Sequence, residues 1–159
     1  MREWDDDIDL FIRLCHEHDV KMILVGGGAV NFHGYQRHSS DVDFWIKTDW
    51  HNLDRLIGVF REMDLDISTF PEAVMNQEQN VSVKFSPLGL DLELITKFEI
   101  GKSFDEAYAD AVIAEIKRIP VRRWRVLSFS DLILSKEKAA RPKDLLDIEE
   151  LKRLKSDTD

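Results

Sequence analysis

The feature that most constrains this chain is the segment Val25 to Ile46, VGGGAVNFHGYQRHSSDVDFWI, which joins a glycine turn to a pair of carboxylates. The apolar run Met22 to Val25 is short and bounded by glycine, the pattern of a buried strand that runs straight into a turn. At Gly26, Gly27 and Gly28 the backbone can come close to a ligand. Ala29 to Gly34 has the length of a short helix whose first N–H groups point back toward the glycines, which favours an anion, and His33-Gly34 ends it. Tyr35 to Ser40 is a polar loop. Beyond it Val42, Phe44 and Ile46 alternate with Asp41, Asp43 and Trp45, so the two aspartates share one face of a second strand. This combination points to phosphate and metal in one place.

The remaining periodicities supply the rest of a domain. Ile8, Phe11, Ile12 and Cys15 fall at helical spacing in residues 5 to 18, and the acidic start, Asp5 to Asp7, suits the positive end of a helix dipole as a solvated terminus rather than a metal cluster. Trp50 to Met63 carries Leu53, Leu56, Ile57 and Phe60 at the same spacing, a helix that covers the sheet. Residues 64 to 80 contain turn signals and a short helical piece, Glu72 to Gln77. Val81 to Phe85 and Leu90 to Ile95 read as an antiparallel hairpin about the turn Ser86 to Gly89, and in its second strand Asp91 and Glu93 again share a face. Ser103 caps a helix over Phe104 to Asp110, strands follow at Val112 to Ile116 and Val121 to Val126, Ser130 caps a helix, and Pro142 opens a last one through Leu145, Ile148, Leu151 and Leu154. The expectation is an α+β fold: a mixed central β-sheet flanked by helices, with a short helical C-terminal tail. One domain spans 1–159, with an α/β core over 1–127 and helices over 128–159.

Composition narrows the class. A chain of 159 residues with 43% hydrophobic and 33% charged residues is long enough for one globular core and shows no sign of disorder. The single cysteine, Cys15, makes no internal disulfide, and no apolar run reaches the length of a membrane span, so the expected compartment is the cytoplasm. The net charge of -9 argues against indiscriminate nucleic-acid binding. It is unevenly spread: residues 1 to 110 hold 10 Lys+Arg against 22 Asp+Glu, residues 111 to 159 hold 12 against 9, and the mildly basic end reads as a solvated surface.

Two carboxylates one residue apart on a strand bind one or two divalent ions, and a third on a neighbouring strand completes such a site and takes a proton from an attacking group. Either Asp91 or Glu93 fills that place, with Asp91 slightly favoured for its shorter reach. A glycine turn donates backbone N–H groups to a triphosphate while the ions neutralise charge at the α-phosphorus. His33 and Arg37 flank the loop and can touch phosphate, although a histidine ending a helix is usually structural. Trp45 and Trp50 can stack a base, although aromatics near a sheet are more often core.

These segments resemble the polymerase-beta-type nucleotidyltransferases, whose motif is a GG or GS turn, an apolar-Asp-apolar-Asp strand and a later strand acid. Here the pattern falls on Gly26-Gly27, on Asp41 and Asp43 of SDVDFWI, and on Asp91 or Glu93 of LGLDLELIT. The tail SKEKAARPKDLLDIEEL is similar to the ending of small bacterial proteins of this superfamily, including relatives of the AbiEii abortive-infection toxins, with Lys136, Arg141, Lys143, Asp144 and Asp147 at the matching positions. Gly28 departs from the pattern, since the superfamily often has a serine there. Asp144 and Asp147, at i and i+3, also suit pairing with Arg141 or Lys143.

The resemblance implies a magnesium-dependent transferase, with two ions once an NTP is bound, that moves a nucleoside monophosphate to an acceptor hydroxyl. Asp41, Asp43 and Asp91 would hold metal, with Glu93 beside them. Gly26, Gly27, Gly28 and Arg37 would receive the nucleotide, and Lys136 with Arg141 would steady the leaving pyrophosphate. The acceptor, whether RNA, protein or a small molecule, is left open. The alternative is a catalytically weak or inactive protein of the same fold that acts as the binding component of a toxin-antitoxin or phage-defence pair. A metal hydrolase would need clustered histidine ligands, which the five histidines do not supply.

Overall fold

The computed structural model describes residues 5–36, 38, 41–85, 89 and 91–158. In chain order its elements are α1 (Asp6–Glu17), β1 (Met22–Val25), α2 (Gly26–Phe32), β2 (Asp41–Ile46), α3 (Trp50–Glu62), α4 (Glu72–Met75), β3 (Val81–Lys84), β4 (Asp91–Ile95), α5 (Phe104–Asp110), β5 (Val112–Ile116), β6 (Arg122–Val126), α6 (Phe129–Ala139) and α7 (Pro142–Thr158). The strands form one six-stranded mixed sheet in the order β3-β4-β2-β1-β6-β5. This is the expected α+β architecture. The hairpins β3/β4 and β5/β6 are antiparallel, β1 runs antiparallel to β2, and β2 pairs in parallel with β4. Arg37 and the turn residues 86 to 88 lie outside the described residues.

Strict alternation gives the inner strands two different faces. Val42, Phe44 and Ile46 of β2 and Leu92 and Leu94 of β4 are buried on the side where Phe11 of α1 meets Phe44 and Phe60 of α3, with ring centroids 6.2 and 5.9 Å apart. A fully buried aromatic of this kind stabilises the fold by about 3 kcal/mol. The amphipathic α1 is held at its start by Asp5, whose carboxylate accepts from the Ile8 N–H at 3.0 Å, so the acidic run is a cap and a solvated terminus. On the opposite face Trp45 is 5% exposed beneath Phe98 and Phe104, at 5.3 and 5.2 Å. Trp45 is therefore core, while Trp50 is 63% exposed.

The structure moves two boundaries. The three glycines do not precede α2 but make its first turn, because Gly26 (φ +62°) bends the chain immediately after Val25 and first-turn N–H groups need no intrahelical partner. The cap of α6 is Ser128, which accepts from the Asp131 N–H at 3.1 Å, rather than Ser130. In α7 the inward face is Asp144, Asp147 and Leu151, all buried, while Leu145 is 54% exposed. Ionic contacts described below occupy the inner side of its first turns, and the apolar spacing takes over at Ile148 and Leu151. Among the described residues no helix is long and apolar enough to cross a membrane.

Candidate active site

Two features of the sheet put the acidic residues in a common array. The parallel register sets Asp41 beside Asp91 and Asp43 beside Glu93, and register partners project to the same face. The antiparallel register of β1 sets Val25 beside Asp43, so the chain leaves β1 for the glycine turn at the level of that aspartate. Gly26 and Asp43 are in direct contact: a β-carbon built on Gly26 would lie 2.4 Å from Asp43 Oδ2. At Gly28 a β-carbon would meet Leu24 Cδ1 at 2.9 Å. The missing side chain there is a packing requirement of the strand beneath, not just a lost hydroxyl.

Burial, then the neighbouring charges of Asp41 and Glu93, push the Asp43 carboxyl up from 3.8 to about 6, against the opposing pull of Lys136 and Lys143. Asp43 is thus the point where acids from two strands and cations from the tail meet. Glu93 is oriented by β3, whose Ser82 hydroxyl donates to Glu93 Oε2 at 2.5 Å. Asp91 has Lys84 Nζ at 3.9 Å, and among the described residues its buried Oδ1 has no hydrogen-bond donor. The four carboxylates form an open row: among the described residues, no three His, Cys, Asp or Glu side chains close into a finished metal cage. Hard oxygen donors that repel one another nevertheless suit a divalent cation such as Mg²⁺, which binds through one or two carboxylates and keeps its remaining positions for water and phosphate.

The tail residues divide into two groups. Lys136 on α6 is 6% exposed, and its Nζ lies 3.1 Å from Asp147 Oδ2 and 3.4 Å from Asp144 Oδ1. Arg141 holds the fully buried Asp144 through its backbone N–H at 3.1 Å and its guanidinium at 2.7 and 3.2 Å. These hydrogen bonds and charges outweigh burial and draw the Asp144 carboxyl below its ordinary value. Asp144 thus pairs with Arg141 as expected, and with Lys136 as well. Lys143 is exposed, and its charge reaches Asp43. Sequence reasoning quoted Lys143 within the tail pattern but gave it no site role, and it missed Ser82. The length of the β3/β4 hairpin carries the signal for Ser82, because that length sets the serine opposite Glu93.

His33 is engaged within the fold. Its Nε2 is 2.7 Å from the Leu127 carbonyl, and its ring packs edge-on against Phe32 and Phe129. Burial lowers its pKa, and the charge of Lys155 adds to that, against the backbone hydrogen bond. A neutral ring with its proton on Nε2 ties the end of α2 to the junction of β6 and α6.

No curated protein matches the chain. The model of one family, described as nucleotidyltransferase of unknown function (DUF6036), matches residues 3–157. The match spans the glycine turn and both acidic strands, and the chain belongs to this family of nucleotidyltransferases.

Proposed function

We propose that the protein is a metal-dependent nucleotidyltransferase that moves a nucleoside monophosphate from an NTP to an acceptor hydroxyl and releases pyrophosphate. The observation that carries this reading is the contact of Gly26 with Asp43 inside a row of acids drawn from two parallel strands. Asp41 and Asp43, with Glu93 or Asp91, would hold Mg²⁺, which when bound supplies charge neutralisation on the triphosphate. The backbone of Gly26 to Gly28 then faces the phosphates, and Gly26 can bear no side chain without displacing Asp43. The acceptor oxygen forms its bond to the α-phosphorus as the bond to the bridging oxygen breaks and pyrophosphate leaves, and the hydroxyl proton passes to a carboxylate of the row.

Glu93 is the stronger candidate for the third acid, since it stands beside Asp43 in register and is oriented by Ser82. Lys143 is the exposed cation for the triphosphate. Lys136 and Arg141, engaged with Asp144 and Asp147, lend positive charge and fix α7 at the site. The tail's likeness to AbiEii-type toxins fits this scheme. Incubation with each labelled NTP, Mg²⁺ and RNA, protein or small-molecule acceptors tests it. Transfer that is lost in Asp43→Asn is expected, and a labelled product that persists in that variant sinks the assignment.

A binding component without transfer activity is the second reading, favoured by Gly28, which offers no hydroxyl to phosphate. Magnesium-dependent nucleotide binding without product from any acceptor is its expected signature.

A further inference from the structure

The acids lie on the inner strands of the sheet, but the opposite edge carries a pattern that transfer does not use. We propose that β5 is a docking edge for a second copy of this chain, with the two β5 strands pairing antiparallel about a two-fold axis at Ala114. The sheet order makes β5 an outermost strand, hydrogen-bonded to β6 on one side. An open edge is a template for another strand unless charge, proline or a bulge blunts it. The other edge strand, β3, has four residues and ends on Lys84. In β5 the pairing with β6 runs without a bulge from Val112↔Val126 to Ile116↔Arg122. Its one charged side chain, Glu115, is turned inward to Arg123, whose Nε donates to it at 2.7 Å. Val112 and Ile113 are 37% and 54% exposed.

What selects a second copy is the charge written along the strand. Asp110 precedes β5, and Lys117 and Arg118 follow it. Antiparallel pairing centred on Ala114 sets Val112 opposite Ile116 and Ile113 opposite Glu115 of the second copy. It also brings the Lys117-Arg118 end of each strand against the Asp110 end of the other, twice by symmetry. Val112, Ala114 and Ile116 share the sheet face over which Val126 and Trp124 are buried, so the pairing carries that apolar row across the axis. A register centred one residue later would set the two Glu115 carboxylates opposite each other and Asp110 opposite Pro120, like charge against like and no cation facing the aspartate. The ionic pattern therefore selects the alignment at Ala114. β2 and β4 lie on the far side of β1 and β6 from this edge, so both acid rows stay open in the pair.

Sedimentation equilibrium of the full chain over micromolar to millimolar concentrations tests the proposal. A reversible dimer is expected, weakened about tenfold or more by Ile113→Lys and by Arg118→Asp, and restored when Arg118→Asp is combined with Asp110→Arg. Ala114→Cys places a thiol opposite its own copy, at a separation a disulfide spans. Mild oxidation should link that variant into dimers, while the native Cys15 is buried. Circular dichroism confirms that each variant is folded. A wild-type chain that stays monomeric at millimolar concentration overturns the docking edge, and so does a dimer indifferent to Ile113→Lys. Failure of the double exchange to restore association, or of the Ala114→Cys link to form, overturns the register.

Discussion

Gly26 and Asp43 occupy space that a single added carbon would contest: the position of a β-carbon on Gly26 is 2.4 Å from Asp43 Oδ2. The backbone at Gly26 also has a φ of +62°, which costs an L-residue about 1–2 kcal/mol. Gly26→Ala is therefore expected to lower stability by about 2 kcal/mol and, because Asp43 must rotate away, to reduce transfer far more than that loss accounts for. Chemical denaturation together with turnover at a temperature where the variant is fully folded checks both halves.

Asp43 is held at a cost to stability. Its pKa is raised in the folded protein, from 3.8 to about 6, so the folded state binds the proton more tightly than the unfolded chain does. Stability declines as pH rises through that window and is lowest, as far as this group is concerned, above it. Asp43→Asn should abolish transfer and yet stabilise the metal-free protein by about 1–2 kcal/mol at pH 7.5, after allowance for the group's partial exposure. The gain should vanish below the ordinary carboxylate value. Thermal unfolding in chelator at the two pH values measures it, and equal gains at both would refute the cause given.

Lys136 and Lys143 predict opposite phenotypes. Lys136→Met leaves Asp144 and Asp147 buried, with Asp147 stripped of a cation 3.1 Å away, and should destabilise by about 3–5 kcal/mol. Lys143→Ala touches an exposed residue and should leave the unfolding midpoint unchanged while raising KM for the NTP. A KM unchanged in Lys143→Ala would move the triphosphate away from that part of α7.

Ala140 ends α6 in the left-handed conformation, φ 50° and ψ 27°, where glycine is the preferred residue. Ala140→Gly should stabilise the protein by about 0.5–1 kcal/mol in urea unfolding. A loss of stability instead would mean that packing of the methyl group outweighs the strain of the backbone angle.

Alternation is a local property, and it sufficed to put Asp41 with Asp43 and Asp91 with Glu93 on shared faces. Which acid stands beside Asp43 depends on register between two strands far apart in the chain, which no local pattern encodes, so the sequence leaves Asp91 and Glu93 both open and prefers Asp91 only for its shorter reach. The β3/β4 hairpin, the Ser103 cap and the opening Pro142 of α7 are legible because turn length and side-chain capping are also local, although the cap of α6 falls two residues before the serine the sequence suggests. In α7 the apolar spacing holds at Ile148 and Leu151 but not at Leu145, where Lys136 instead meets Asp144 and Asp147 on the inner side of the first turns. The contact at Gly26 was foreshadowed only as room for backbone. That it is filled by a carboxylate follows from the antiparallel pairing of Val25 with Asp43.

The pairing of β2 between β1 and β4 has an evolutionary corollary. A strand bonded on both sides cannot shift by one residue without turning Asp41 and Asp43 into the core and Val42 and Phe44 out of it, so drift at this wall of the site is lethal to the fold. α7 is joined to the body through Lys136, the buried Leu151, Lys155 over the Phe129 ring and a two-residue link, and its exposed positions answer to no such register. New nucleotide or acceptor preferences within this family should therefore be written into the tail, around Lys143, Leu145 and Leu146, while the acidic strands stay as they are.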